Sequence, residues 1–223
     1  MPDLRPGVLF DVDGTLLDTN YLHVLAWWQA FMDTGHGPIP MDRIHRAIGI
    51  PSEGLVRHLI GDDDEDAVEA HSARYVPLRE HVRPLPGTAD LLKACAGHGL
   101  VVVLATSGQE SDLEWMEPAI GAGDAVSGAT TSASVDEGKP APDLLETAVR
   151  EHGLDPKRTV VVGDAVWNVE AARRAGLPCI GLRCGGISGG ELTDAGAEEV
   201  YSDPADLLEH FDDSSLGRVA RCP

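Results

Sequence analysis

Two carboxylates one residue apart, in the run Asp11-Val12-Asp13-Gly14-Thr15, stand directly behind the apolar stretch Val8-Leu9-Phe10. A stretch of that kind has the length of a buried parallel strand, and α/β sheets bind ligands beyond the carboxyl ends of such strands. Paired acids there repel unless a cation or a shared proton lies between them. The pair therefore points to a Mg²⁺ site, a nucleophile with an acid/base partner, or both. Three other segments end in polar residues of complementary type. They are Thr106-Ser107 after 100–105, Lys139 in the loop Glu137-Gly138-Lys139-Pro140, and Asp164 after 159–162. The set fits phosphoryl transfer. A carboxylate can attack phosphorus and form an acyl phosphate. A second acid can protonate the leaving oxygen and then activate water. Mg²⁺ takes hard oxygen ligands, while a hydroxyl, backbone amides and a lysine can hold the transferring oxygens.

These ends converge only if parallel strands aim them at one edge of a sheet. The order of elements predicts that. Strands are expected at 7–10, 100–105, near 125–127, 159–162, 178–182 and 198–201, with helices at 88–96, 109–118, 142–152, 166–175 and 204–210 between them. Such alternation makes an α/β, mostly parallel sheet with helices on both faces. Between the first strand and the next strand–helix unit lie helices only, at 18–34, 41–47, 52–60 and about 64–80, with Asp18 or Thr19 as the first N-cap. Pro84-Leu85-Pro86-Gly87 closes that insert. It would sit over the mouth of the first strand as a lid. The boundaries follow: a core at 1–16 and 86–211, a helical cap at 17–85, and a frayed tail at 212–223.

Charge narrows the partners. The chain has 223 residues, 37 acidic and 17 basic, for a formal net charge of −20. Such a surface repels nucleic acid and anionic membrane. A phosphate site would need local positive charge or a metal, and the lysines are only Lys93, Lys139 and Lys157. Cys95, Cys179, Cys184 and Cys222 form no C-x-x-C pair and no zinc spacing, as in reduced cytoplasmic proteins. No apolar run approaches the roughly 20 residues that span a bilayer. A monomer or homodimer is expected.

The motifs resemble those of the haloacid dehalogenase superfamily of hydrolases, in the family's order and over residues 7 to about 210. Asp11-Val12-Asp13-Gly14-Thr15-Leu16-Leu17-Asp18-Thr19 is similar to its first motif and 101–107 to its second. Gly138-Lys139-Pro140-Ala141-Pro142-Asp143 is similar to the third, and Val161-Val162-Gly163-Asp164 to the fourth. The resemblance is to members such as phosphoglycolate phosphatase and β-phosphoglucomutase, with a Rossmann-like core and a helical cap. It implies that Asp11 is nucleophile and Mg²⁺ ligand, and that Asp13 is general acid/base with its carbonyl on the metal. It implies that Thr106 and the Ser107 amide bind phosphate, that Lys139 bridges nucleophile and phosphate, and that Asp164 completes the metal ligands. His23, Thr19 and Ser52, the last in the turn Gly49-Ile50-Pro51-Ser52, are implied as cap residues near the substrate. His23 reads equally as a partly buried structural histidine, and Trp27-Trp28 as cap core.

One departure stands out. Many relatives carry a second aspartate where this chain has Asn168, which keeps the shape and loses a charge. The expected activity is Mg²⁺-dependent hydrolysis of a small phosphomonoester, such as phosphoglycolate or a sugar phosphate. A dehalogenase needs neither Asp13 nor Asp164. A phosphonate hydrolase needs a cap lysine, and none precedes Lys93. A phosphosugar mutase would carry an arginine in the cap turn, where Ser52 stands, although Arg43, Arg46, Arg57 and Arg74 are near. A non-catalytic binding protein of the same fold is the remaining alternative.

Overall fold

The computed structural model describes residues 4–134 and 138–221. In chain order the elements are β1 (Arg5–Phe10), α1 (Asn20–Asp33), α2 (Met41–Ala47), α3 (Ser52–Ile60), α4 (Glu65–Tyr75), α5 (Thr88–Gly97), β2 (Val101–Ala105), α6 (Leu113–Ile120) and β3 (Gly128–Thr130). Then follow α7 (Asp143–Glu151), β4 (Leu154–Gly163), α8 (Val166–Ala175), β5 (Cys179–Leu182), α9 (Gly189–Ala195), β6 (Glu199–Tyr201), α10 (Pro204–Glu209) and α11 (Ser215–Arg221).

All six strands are parallel, in the order β3-β2-β1-β4-β5-β6. The chain starts in the middle and winds outward in both directions, so β1 and β4 flank the switch point where such sheets bind ligands. Phe10 pairs with Val162, which sets Asp11 beside Gly163 and one residue from Asp164. Side chains alternate across the sheet. Val8, Phe10, Val102, Leu104, Val160 and Val162 face α5, α6, α10 and α11. Leu9, Val101, Val103 and Val161 face α7, α8 and α9. Both faces are covered, which is why these strands read as continuous apolar runs.

Helices α1–α4 form the small helical cap domain and bury a core of their own, built on Trp27, Phe31, Ile44, Leu55, Val56 and Ala67. The chain enters and leaves that region side by side. The Asp18 amide donates to the Arg83 carbonyl at 2.9 Å, and the Leu85 amide to the Leu16 carbonyl at 2.9 Å. Phe31 is fully buried there. Phe31→Ala is expected to cost about 3–5 kcal/mol, because the ring's contacts go and a cavity remains. Urea denaturation monitored by tryptophan fluorescence measures it, and a loss below about 1 kcal/mol would mean that α1 repacks.

Several expectations need correction. Of the frayed tail expected at 212–223, the described part, 212–221, is ordered against the core. Ser215–Arg221 forms α11, Leu216 is fully buried in the main core, and the Ser215 hydroxyl donates to Glu199 at 2.8 Å. Cys222 lies outside the described residues. The strand expected near 125–127 lies at Gly128–Thr130, because a 3₁₀ turn over Gly123–Ala125 precedes it and pairing begins at Val103 with Gly128. The helix expected at about 64–80 stops at Tyr75 and continues as a 3₁₀ turn, Val76–His81, in which Pro77 offers no amide. Helix α1 starts at Asn20. Thr19 occupies its N-cap position without a side-chain cap bond, since its hydroxyl is used elsewhere. Helix α9 was not foreseen, although Ser188 and Glu191 close a capping box at its start. No helix among the described residues is long and apolar enough to cross a membrane.

Candidate active site

The carboxyl ends of β1 and β4 bring Asp11 and Asp164 to one place from opposite ends of the sequence. Each is almost fully buried. The two Asp11 oxygens have different partners. Lys139 Nζ donates to Oδ1 at 2.7 Å, and Asn168 Nδ2 donates to Oδ2 at 2.9 Å. Lys139 also donates to the Ala105 carbonyl at 3.2 Å, which fixes the ammonium at the end of β2. It reaches there from the loop before α7. Glu137 of that loop lies outside the described residues.

Asn168 therefore touches the nucleophile candidate directly. Its Oδ1 accepts from the Ala165 amide at 2.9 Å, so its amide nitrogen is turned toward Asp11. An aspartate at this position would oppose Asp11 with a second charge. The asparagine donates instead, which gives the departure from the common motif a defined structural consequence.

Asp164 is held by residues that sequence reasoning did not single out for it. Thr15 Oγ1 donates to one oxygen at 2.9 Å and Asn20 Nδ2 to the other at 2.8 Å. Asn20 also reaches the Gly185 carbonyl at 3.1 Å, and its own Oδ1 is buried without a partner among the described residues. Gly14 is required between these groups. Its φ is +72°, and a Cβ there would stand 2.3 Å from Asn20 and 2.4 Å from Asp164. Burial, and next the charge of Asp11, push the Asp164 carboxyl from 3.8 up to about 7. Lys139 pairs with Asp11 and not with Asp164, and that deficit of positive charge beside two buried carboxylates fits a cation. Among the described residues no three His, Cys, Asp or Glu side chains gather as a metal group. A cation on Asp11 and Asp164 would take its other ligands from backbone oxygen, water and substrate, as Mg²⁺ commonly does.

Asp13 points the other way, toward the helical region. Thr19 Oγ1 donates to its Oδ1 at 2.7 Å, and His23 Nε2 lies 3.3 Å from the same oxygen. Burial alone would raise this carboxyl. The hydrogen bond and charge of His23, the Thr19 hydroxyl and Lys139 outweigh it and hold Asp13 below the usual range. His23 Nδ1 in turn lies 3.2 Å from His71 Nε2, and the His23 ring stacks on Tyr75 with centroids 3.8 Å apart. Burial, then the charge of His23, drives His71 well below an ordinary imidazole. Whether His71 Nε2 donates to or accepts from His23 Nδ1, His23 Nε2 can donate to Asp13.

Asp11 and Asp13 open on a cavity of about 120 Å³ between the sheet edge and the helices. Ser52 and His23 line it. Thr19 does not line it. It is fully buried and serves Asp13. Ser107 and Gly108 line the cavity, whereas the Thr106 side chain is buried behind them and its Oγ1 accepts from the Gly108 amide at 3.0 Å. The Ser107 hydroxyl donates to the Gly49 carbonyl at 2.9 Å and ties the sheet edge to the turn before α3. Trp27 belongs to the core of the helical region and also borders the cavity. The acidic run at 62–66 is far simpler: Asp64 caps α4 through the Ala67 amide at 3.0 Å, and Asp62 and Asp63 are exposed.

Residues 8–182 match the family model described as haloacid dehalogenase-like hydrolase. A hydrolase from Pseudomonas syringae has a similar structure, with a TM-score of 0.87 and 36% sequence identity over 94% of this chain and 99% of that one. Protein CbbY of Cereibacter sphaeroides is 30% identical over 96% of this chain and 95% of its own length. A phosphoglycolate phosphatase of Pseudomonas putida is 25% identical over 94% of this chain and 81% of its own length.

Proposed function

The chain belongs to the haloacid dehalogenase-like hydrolase family, and on that premise we propose that it is a Mg²⁺-dependent phosphatase that hydrolyses a small phosphomonoester through an aspartyl phosphate on Asp11. The observation that carries this reading is the separation of the two acids. Asp11 sits between Lys139 and Asn168 beside Asp164, while Asp13 faces the cavity among Thr19 and His23.

In this reading Asp11 attacks phosphorus and the ester oxygen departs with a proton from Asp13. A dianionic phosphate arriving beside Asp13 raises its proton affinity, which prepares it as the acid. Asp13, then ionised, takes a proton from water, and that water attacks the aspartyl phosphate to release phosphate and restore Asp11. Lys139 balances charge at Asp11 and the Ser107 amide holds a phosphoryl oxygen, while Thr106, buried behind the lining, takes the Gly108 amide and shapes that turn instead of meeting phosphate itself. Asp11, Asp164 and the Asp13 carbonyl would hold Mg²⁺, which when bound offsets the negative charge of the phosphoryl group. Residues 17–85 act as the cap and the remaining described residues as the catalytic core. Hydrolysis is favoured over transfer to a second sugar hydroxyl because none of Arg43, Arg46, Arg57 and Arg74 lines the cavity, where Ser52 does, and Arg79, which does line it, already donates to Asp112 at 2.6 Å. The test is turnover of an aryl phosphate with Mg²⁺ and with chelator. Turnover in Mg²⁺ that chelator removes is expected, and its absence would sink the reading in favour of a binding protein.

The cation also has a signature in stability. The folded state holds the Asp164 proton more tightly than an unfolded chain does, at about 7 against 3.8. The stability this contributes is complete below about pH 4 and is lost as pH rises through about 7. In chelator, the thermal midpoint is expected to fall between about pH 5 and about pH 8, and Asp164→Asn is expected to flatten that fall. Mg²⁺ added at the higher pH should raise the wild-type midpoint. Identical pH profiles for wild type and variant, or no shift with Mg²⁺, would contradict the assignment.

A further inference from the structure

Asn168 is 1% exposed and is held at the end of β4 from several sides. It stands in the first turn of α8, and its Oδ1 accepts from the Ala165 amide at 2.9 Å, which closes the start of that helix. Its Nδ2 donates to Asp11 Oδ2 at 2.9 Å. Gly163 makes the room for it. A Cβ on Gly163 would stand 2.5 Å from Asn168 Cγ and 2.6 Å from its Cβ. Only one orientation of the amide suits both neighbours, since the Ala165 N–H needs an acceptor and the carboxylate oxygen needs a donor. Lys139 donates to the other Asp11 oxygen at 2.7 Å, so the carboxylate is held at both ends.

The residue type matters as much as its place. An aspartate in the same rotamer would still accept from Ala165. Its second oxygen would stand where Nδ2 does, 2.9 Å from Asp11 Oδ2. Two carboxylate oxygens that close need a proton or a cation between them. Asn168 needs neither. It holds Asp11 with a neutral donor and adds no charge beside Asp11 and Asp164. The cation gains nothing from that choice, because affinity for a hard divalent ion rises with the number of carboxylates around it. A third carboxylate would hold the ion more tightly, but it would push against Asp11 and against an arriving phosphoryl group.

We propose that Asn168 is a positioning residue for the covalent step: it aims Asp11 at phosphorus through a neutral N–H, so that the protein binds Mg²⁺ more weakly but is phosphorylated faster than it would be with an aspartate there. This rests on the phosphatase reading and deepens it. Two variants separate shape from charge. Asn168→Asp keeps the shape and the bond from Ala165, removes the donor and adds a charge. Asn168→Ala removes the donor and adds none. Phosphorylation by an aryl phosphate at saturating Mg²⁺ is followed in a single turnover by acid quench and mass. Mg²⁺ alone is titrated by calorimetry into the metal-free protein. The rate constant is not altered by an unfolded fraction of a preparation, and the aspartate variant decides alone if the alanine variant does not fold. Both variants are expected to slow phosphorylation by at least about tenfold. Asn168→Asp is expected to bind Mg²⁺ at least about threefold more tightly than the wild type, and Asn168→Ala no more tightly than the wild type. A smaller change in either rate constant or in the affinity of the aspartate variant, or tighter binding by the alanine variant, overturns this inference alone, provided that the wild type turns over the aryl phosphate. No turnover by the wild type overturns it together with the phosphatase reading.

Discussion

Asp11→Asn is expected to abolish hydrolysis, with kcat falling on the order of 10⁴-fold or more while the fold persists. The amide cannot attack phosphorus, so the acyl phosphate never forms. The fold should survive because the new Oδ1 still accepts from Lys139 at the position where the carboxylate does, at 2.7 Å. The substitution leaves the Lys139 ammonium buried without its counter-charge, and some loss of stability follows. It also removes the charge that raises Asp164, which offsets part of that loss. Three measurements settle it: kcat on an aryl phosphate, the thermal midpoint, and the mass of acid-quenched protein. The wild type should show a species heavier by one phosphoryl group, and the variant none. Turnover retained within about tenfold would exclude Asp11 as nucleophile.

Asp13→Asn is expected to lower kcat by about 10²–10⁴-fold, the usual worth of general acid/base catalysis. The loss should depend on the leaving group. An alkoxide needs a proton to depart, whereas an aryl oxide leaves readily without one. Alkyl esters should therefore lose the first step. With aryl esters Asp11 should still be phosphorylated and the covalent species should accumulate, because water attack lacks its base. The Thr19 hydroxyl and His23, at 2.7 and 3.3 Å from Asp13 Oδ1, hold the side chain in place and so isolate the chemical effect. Equal losses with alkyl and aryl esters, and no covalent accumulation, would assign Asp13 a structural role instead.

Much of this was legible in the residues, and the reason is physical. Strands buried on both faces must be continuous apolar runs, so β1, β2 and β4 are visible as Val8-Leu9-Phe10, 101–105 and 159–162. Their polar terminations then mark the edge of the sheet where Asp11, Ser107 and Asp164 meet. Helices α2 and α3 stand out because Gly and Pro bound them. The short edge strand β3 has only three residues and no apolar run, so its position slipped. Helix α11 was hidden because its anchoring is tertiary: Leu216 finds the core, and Glu199, from a distant strand, accepts from Ser215. The same holds in the site. Thr15 and Asn20 could be placed near Asp11 by proximity in the chain, but nothing in their spacing says that both grip Asp164. His71 and Tyr75 join the site from one face of α4, Arg79 from the 3₁₀ turn after it, and Asp112 from the turn before α6. No local pattern marks them, and their roles emerge only from who touches whom.

The helices over the site keep a private interior, and their two connections to the sheet run alongside each other through Asp18–Arg83 and Leu16–Leu85 pairings. Grafting is the consequence. The region works as a cassette: a foreign one, spliced at those two adjoining crossings, would meet the same phosphoryl-handling chassis while bringing its own choice of alcohol. Chimeras cut there should keep their hydrolytic centre and exchange their appetite, whereas chimeras cut inside α1–α4 should split a core and fail to fold.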